Sequence, residues 1–457
     1  MIEHHVSSRP RAHAGTTVIS GPAARLRPGR DVRLWRRHRP GGHADRRAVR
    51  TAVLLVTLLT TGAYLPSPLY PDYQRLFGYD DLVMTLLFAT FALVSCPALL
   101  LFGPAADLVG SRPMLRLSVL LGAAGSCCFL VADGPAWLFA GRVCQALALG
   151  AVTGAAQAVI TRYQYPSGRF AGPILATLAF AVGTAAGPAA SGVLAQYAPG
   201  PLVTPYLLHL VLLGWTYVQL NRTVPEAGAA VGARRWRPVR PHIPPGIRTI
   251  FFVAGLNGFL AWAVVGLYLA LVPALLERAL NSDDPALAGG VLAAVLVWSL
   301  PAQIVGARRA PRTTQLLGVG GLTASLLLLA ATEAASLHAT LASALLAGVG
   351  HGLAFSGAVR AVDAGIPAGH HAGTGAALYL LFYLGSGTPA IAVGLMTTWM
   401  PLTAAVAALS WAGVALGALA LLATLPRPQR KVAEDAGAMD AAGQSWRRES
   451  IGAEPGW

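Results

Sequence analysis

The chain has 457 residues, of which 55% are hydrophobic and 12% charged, with a net charge of +15 and a mean hydropathy of +0.57. An ordinary soluble domain carries about a quarter of charged residues, so this balance excludes one. In so apolar a chain the basic excess reports first on which side of a membrane each loop lies, and it is no argument for a nucleic-acid partner.

Residues 1–50 hold twelve arginines among scattered prolines and glycines, with no apolar periodicity. They are expected to form a disordered basic cytoplasmic tail, or to precede a true start placed further on. No signal-peptide pattern fits them. Twelve apolar runs follow, each about long enough to cross a bilayer as a helix. They lie near 51–70, 82–102, 114–132, 136–159, 171–195, 202–220, 249–273, 287–306, 314–333, 338–359, 372–396 and 402–424. The arginine- and proline-rich stretch 221–248 separates six runs from six. The expected fold is an all-α membrane protein with an N-terminal half at 51–220, a cytoplasmic central loop at 221–248 and a C-terminal half at 249–424. A disordered cytoplasmic tail occupies 425–457.

Orientation follows from the arginines. Arg112, Arg116, Arg162, Arg169, Arg308, Arg309, Arg312, Arg360 and six arginines in 221–248 fall in alternate loops, while the others carry only Arg75 and Arg278. Both termini are therefore expected to be cytoplasmic, in an inner or plasma membrane. Pro166-Ser-Gly168-Arg-Phe-Ala171-Gly172 recurs as Pro367-Ala-Gly369-His-His-Ala372-Gly373, and Pro188-Ala189 recurs as Pro389-Ala390. Both patches are offset by 201 residues, which suggests duplication of a six-helix unit. Chance is the competing explanation in a glycine-rich chain. Cys96, Cys127, Cys128 and Cys144 all lie inside apolar runs and read as buried packing residues, with no metal or disulfide spacing. No cofactor motif is present.

Between the second and third runs stands Gly103-Pro-Ala-Ala-Asp107-Leu-Val-Gly110-Ser-Arg112. A carboxylate, a guanidinium and turn-permitting glycines meet there at a helix junction. This resembles the helix-2/helix-3 loop of the major facilitator superfamily, G-x-x-x-D-x-x-G-R-R/K, with Ser111 replacing the first basic residue. The plainer alternative is a basic anchor loop with no further role. In the fourth run, Arg142 and Gln145 share a helical face. They resemble the family's L-x-x-x-R-x-x-Q-G, with Ala146 for the glycine, and the resemblance implies proton coupling. Otherwise Arg142 would snorkel to the outer interface. In the fifth, Gly183, Gly187, Pro188 and Gly192 resemble the exporters' antiporter signature G-x-x-x-G-P-x-x-G-G, with Ser191 in place of one glycine. Ordinary small-residue packing is the alternative.

Polar groups inside runs are candidate cavity residues: Tyr64, His209, Asn257, Trp262, Gln303, His351, Tyr379 and Tyr383. The family lines its path with helices 1, 4, 7 and 10, which favours Tyr64, Asn257, Trp262 and His351. A lone intramembrane histidine is more often a bonded packing residue. No acid lies securely within a run, so either Arg142 or a histidine would manage the proton or coupling is weak, and a permanently cationic substrate is disfavoured. The resemblance thus implies a monomeric transporter in a lipid bilayer that exports a small apolar or neutral compound in exchange for protons. The alternatives are an importer of sugars or other nutrients and, more remotely, a polytopic membrane enzyme or sensor.

Overall fold

The computed structural model describes residues 43–163, 172–226, 237–280, 284–332, 337–367 and 370–425. Most of the two tails and the 164–171 copy of the repeat lie outside them, and so does the side chain of Asp107. Thirteen α-helices and no strand occur among the described residues. They are α1 (His43–Tyr64), α2 (Tyr70–Phe77), α3 (Asp81–Val109), α4 (Ser111–Leu130), α5 (Pro135–Tyr163), α6 (Gly172–Tyr197), α7 (Thr204–Thr223), α8 (Arg248–Leu280), α9 (Pro285–Gly306), α10 (Pro311–Thr332), α11 (Leu337–Asp363), α12 (His371–Met396) and α13 (Leu402–Thr424).

Among the described residues, eleven segments are long and apolar enough to cross a membrane. There the backbone must satisfy its own hydrogen bonds, which helices do. Among the helices of 20 residues or more, α7 falls short, because His209, Gln219, Asn221 and Arg222 interrupt its apolar run.

The first run departs from expectation. Helix α1 begins at His43, inside the segment expected to be a tail, with Asp45 favouring its N-terminal turn. It stops at Tyr64 because Pro66 and Pro68 carry no backbone donor. A 3-10 turn at Ser67–Leu69 then restarts the chain as the eight-residue α2, which Gly78 closes at φ +66°. Cysteine placement also differs: Cys96 is buried, Cys127 is exposed, and Cys128 and Cys144 are half-buried.

The packing repeats itself. Helix α1 lies against α5, α6 and α7, and α8 lies likewise against α11, α12 and α13. Helix α5 packs on α3 and α4, and α11 packs on α9 and α10. The main contacts between the two groups are α3 on α12 and α6 on α9. Polar contacts repeat too: Arg112, starting α4, donates to the Asn221 carbonyl at 2.7 Å. Arg312, starting α10, donates to the Thr424 carbonyl at 2.7 Å. These guanidiniums satisfy last-turn carbonyls of α7 and α13, which have no partner within their own helices.

Candidate functional site

Arg142 is fully buried, and no fully buried side chain is larger. The break after α1 explains its position. The carbonyl of Gly62 would ordinarily accept from residue 66, but Pro66 has no N–H, and the next turn leaves Ala63 free as well. Helix α5 supplies both donors: Arg142 Nη1 reaches the Ala63 carbonyl at 2.5 Å, and Gln145 Nε2 reaches the Gly62 carbonyl at 2.9 Å. Arg142 Nη1 also donates to Gln145 Oε1 at 2.8 Å, and Nε donates to the Leu87 carbonyl of α3 at 3.3 Å. The guanidinium lies 4.4 Å from the Phe91 ring centroid, close enough for cation–π attraction. Nη2 has no partner. Its electrostatic neighbours are Tyr64, Tyr70 and Tyr206, with no carboxylate among them. The arginine therefore points inward, and its fixed charge favours the anionic form of any group brought near it.

Helix α6 is wedged between α1 and α9. A Cβ at Gly183 would stand 2.3 Å from the Thr57 carbonyl, and one at Gly187 would stand 2.7 Å from that of Thr61. On the other edge, a Cβ at Gly192 would stand 2.3 Å from the Pro285 carbonyl. Real side chains do not approach backbone so closely, so these contacts admit glycine alone. Pro188 lies in the same helix and frees one backbone acceptor.

At the charged turn, Gly110 takes φ +95° between α3 and α4, a conformation that needs glycine. Gly103 meets no such crowding, as a Cβ there would touch nothing within 4 Å. Arg112 pairs with Glu226 at 3.1 Å besides holding Asn221, whose side chain accepts from Arg116 Nε at 2.7 Å. The first turn of α12 bonds to the central linker. Thr374 donates to the His242 carbonyl at 3.1 Å, and the His242 N–H donates to the Gly373 carbonyl at 3.2 Å.

The cavity candidates separate. Asn257 is fully buried and ties α8 to α10 and α13, donating to Gln315 Oε1 at 2.7 Å and to Thr424 Oγ1 at 3.0 Å. It ties these helices together, and its Oδ1 is buried without a partner. His209 is bonded on both nitrogens, to Ser126 Oγ and the Leu58 carbonyl. Tyr64 packs edge-on against Phe91, with ring centroids 5.5 Å apart. Tyr383 lies within electrostatic reach of Tyr64, Cys96 and Tyr379, across the boundary between the two helix groups.

Trp262 and His351 do meet, with ring centroids 5.0 Å apart and planes nearly perpendicular. Phe355 stacks on His351, Phe382 packs on Phe355, and Tyr379 packs on Phe382. Tyr379 is 43% exposed and opens the cluster to its surroundings. An apolar cavity of about 320 Å³ between α8, α10, α12 and α13 is lined by Phe259, Leu326, Pro389 and Leu416. Its one hydroxyl, Thr388, already donates to the Leu384 carbonyl, so the cavity offers no free side-chain donor for recognition.

Residues outside the sequence expectations join the two groups at the end carrying α2. Arg75 pairs with Asp72 in its own helix and with Glu277 of α8. Arg278 of α8 pairs with Asp81 of α3 at 2.6 Å. The space enclosed beside them, between Pro68, Pro71, Pro273 and Pro285, is only about 20 Å³, enough for about one water. The signal was available: opposite charges stand just after the first and seventh apolar runs.

A comparison with curated proteins finds no match. Among solved structures, the fold is similar to a peptide transporter POT in complex with sulfate, with TM-score 0.67 and 15% identity over 82% of this chain and 94% of that one. A POT family transporter in complex with 5-aminolevulinic acid gives 0.64 and 13%, over 82% and 95%. A bacterial homologue of the human lysosomal transporter Spinster, in an inward-facing and unoccupied conformation, gives 0.61 and 15%, over 84% and 98%. At these identities the likeness is one of fold. The sequence itself matches the profile of the Major Facilitator Superfamily over residues 52–390, most of its length. The chain belongs to the major facilitator superfamily: it is a membrane transporter and not an enzyme.

Proposed function

We propose that the protein is a proton-coupled exporter of small neutral or apolar compounds, working by alternating access between two six-helix halves. In this reading twelve helices span an inner or plasma membrane, both termini are cytoplasmic, and the monomer is the working unit. The observation that carries it is the burial of Arg142 with an unpartnered Nη2 and, among the described residues, no ion-pair partner. A fixed charge kept at this cost suits a site whose partner changes during the cycle. The tight crossings of Gly183, Gly187 and Gly192 beside Pro188 support export, because they match the exporter signature. The ion pairs at the α2 end support a state closed on that side, with Asp107 and Arg112 as a gate at the other.

The test is flux in proteoliposomes with an imposed pH gradient, screened over neutral aromatic, cationic, anionic and sugar compounds. Gradient-driven movement of neutral compounds toward the α2 side is expected. Accumulation of a sugar toward the arginine-rich side would establish import and remove the reading.

A further inference from the structure

The aromatic cluster of the second helix group contains two buried polar atoms with no partner, Trp262 Nε1 and His351 Nε2. His351 is 4% exposed, so water competes poorly for its ring nitrogen. The Trp262 indole can only donate. The role of the histidine nitrogen follows from its other side. His351 Nδ1 lies 2.8 Å from Ser299 Oγ, and the same oxygen receives Gln303 Nε2 at 3.2 Å. With one donor already arriving, the arrangement that satisfies the hydroxyl has its proton pointing to His351 Nδ1. The remaining hydrogen then sits on Nε2. Two N–H donors thus stand unpartnered on adjoining rings whose centroids are 5.0 Å apart.

The walls define the rest of the ligand. Phe355 lies parallel to His351, with planes 6° apart, and edge-on to Trp262. Phe382, itself buried, links Phe355 to Tyr379 on the exposed side. Among the described residues, no charged side chain acts on His351. Asp363, at the end of α11, bears on Tyr379. A buried donor without an acceptor costs free energy, which a ligand acceptor recovers. Aromatic faces favour a flat ring system, and the lack of a facing charge disfavours an ionised ligand.

We infer that Trp262 and His351 form a two-donor subsite that selects uncharged, planar aromatic compounds carrying a carbonyl-type acceptor. The inference rests on the export reading only in naming these compounds as cargo; the binding chemistry stands apart from it. The donors grip the oxygen while the rings of Phe355 and Tyr379 cover the flat face, with Phe382 backing them.

The test uses the full chain in nanodiscs with two probes of one shape, 9-fluorenone and fluorene, which differ by the carbonyl. Trp262→Phe keeps an aromatic ring and removes one donor, and His351→Phe keeps the stack on Phe355 and removes the other. Partition into lipid is common to every variant and cancels in the comparison. Fluorenone is expected to bind roughly tenfold more tightly than fluorene, and either variant should erase that preference while fluorene affinity stays the same. Equal binding of the two probes by the unaltered protein, or a preference that survives both substitutions, overturns the subsite. Tighter binding of 9-aminofluorene or of fluorene-9-carboxylate overturns its neutrality. Selective binding without any flux would count against the export reading and leave the subsite standing.

Discussion

Gly192 of α6 and Gly289 of α9 face each other where the two helix groups cross, each placed so that an added Cβ would stand 3.1 Å from the other's Cα. The neighbouring carbonyls are closer still: Pro285 lies 2.3 Å from a Cβ at Gly192, and Pro188 lies 2.3 Å from one at Gly289. Backbone cannot yield as a flexible side chain does. Gly192→Leu or Gly289→Leu must therefore spread α6 from α9, at a cost of roughly 1–3 kcal/mol. Both variants are expected to insert but to lose most transport and several degrees of thermal stability. Normal flux in either, at matched protein level, would show that this crossing opens without consequence.

The ion pairs at the α2 end lead to a conformational prediction. Arg75 is 44% exposed and Arg278 is 42% exposed, so each pair contributes at most about 1 kcal/mol after solvent screening. Two such pairs lost together shift a two-state population by up to roughly thirtyfold. Spin labels at Leu76 and Trp399, both exposed near this end, would report the change in a background without the four native cysteines. Glu277→Gln with Asp81→Asn should populate a longer distance at the expense of the present one. An unchanged distance distribution would reduce the pairs to surface decoration.

Asn257 provides a case in which a cavity role and a packing role differ in outcome. Its side chain joins Gln315 and Thr424 inside the second group. Asn257→Leu breaks both bonds and strands buried partners, costing about 1–3 kcal/mol. A lowered melting temperature is expected, with flux per folded molecule and substrate preference unchanged. A change in substrate preference would return Asn257 to the cavity.

Much of the helical architecture was legible because a long apolar run in a bilayer has few alternatives to a helix. The reach of α1 and the existence of α2 were not. Pro66 and Pro68 announced a break, but no local signal said that the chain beyond it folds back over Arg142. Arg142 and Gln145 were legible as a pair from their three-residue spacing. Their purpose as donors to the Gly62 and Ala63 carbonyls required the neighbouring helix. Asn257 looked like Trp262 or His351 in sequence, a polar residue in an apolar run. Which way it faces depends on the rotation of α8, set by packing against α11, α12 and α13. Phe355 and Phe382 gave no sign at all, since phenylalanine in an apolar helix serves lipid and cavity equally well.

Arg142 bears the sharpest prediction. Its guanidinium stays protonated through the ordinary pH range, so it is not the group that gives up a proton. Its Nη1 and Nε hold α1 and α3 together, while Nη2 remains buried and unpartnered. Arg142→Lys retains the charge but replaces a planar fork with a single ammonium, which cannot reach the Ala63 and Leu87 carbonyls in the same way. Arg142→Ala removes the charge and leaves the Ala63 carbonyl without a donor. Two flux measurements separate the roles: efflux driven by a pH gradient, and substrate exchange without one. Coupling through Arg142 requires that Ala abolish the first and spare much of the second, with Lys restoring part of the driven flux. Gln145→Leu keeps the guanidinium and removes one of its acceptors, so it should weaken driven efflux less than Arg142→Ala does. If driven efflux and exchange fall together in Arg142→Ala while the melting temperature drops by several degrees, the arginine is a strut between α1, α3 and α5. If neither falls, the buried charge plays no part in transport.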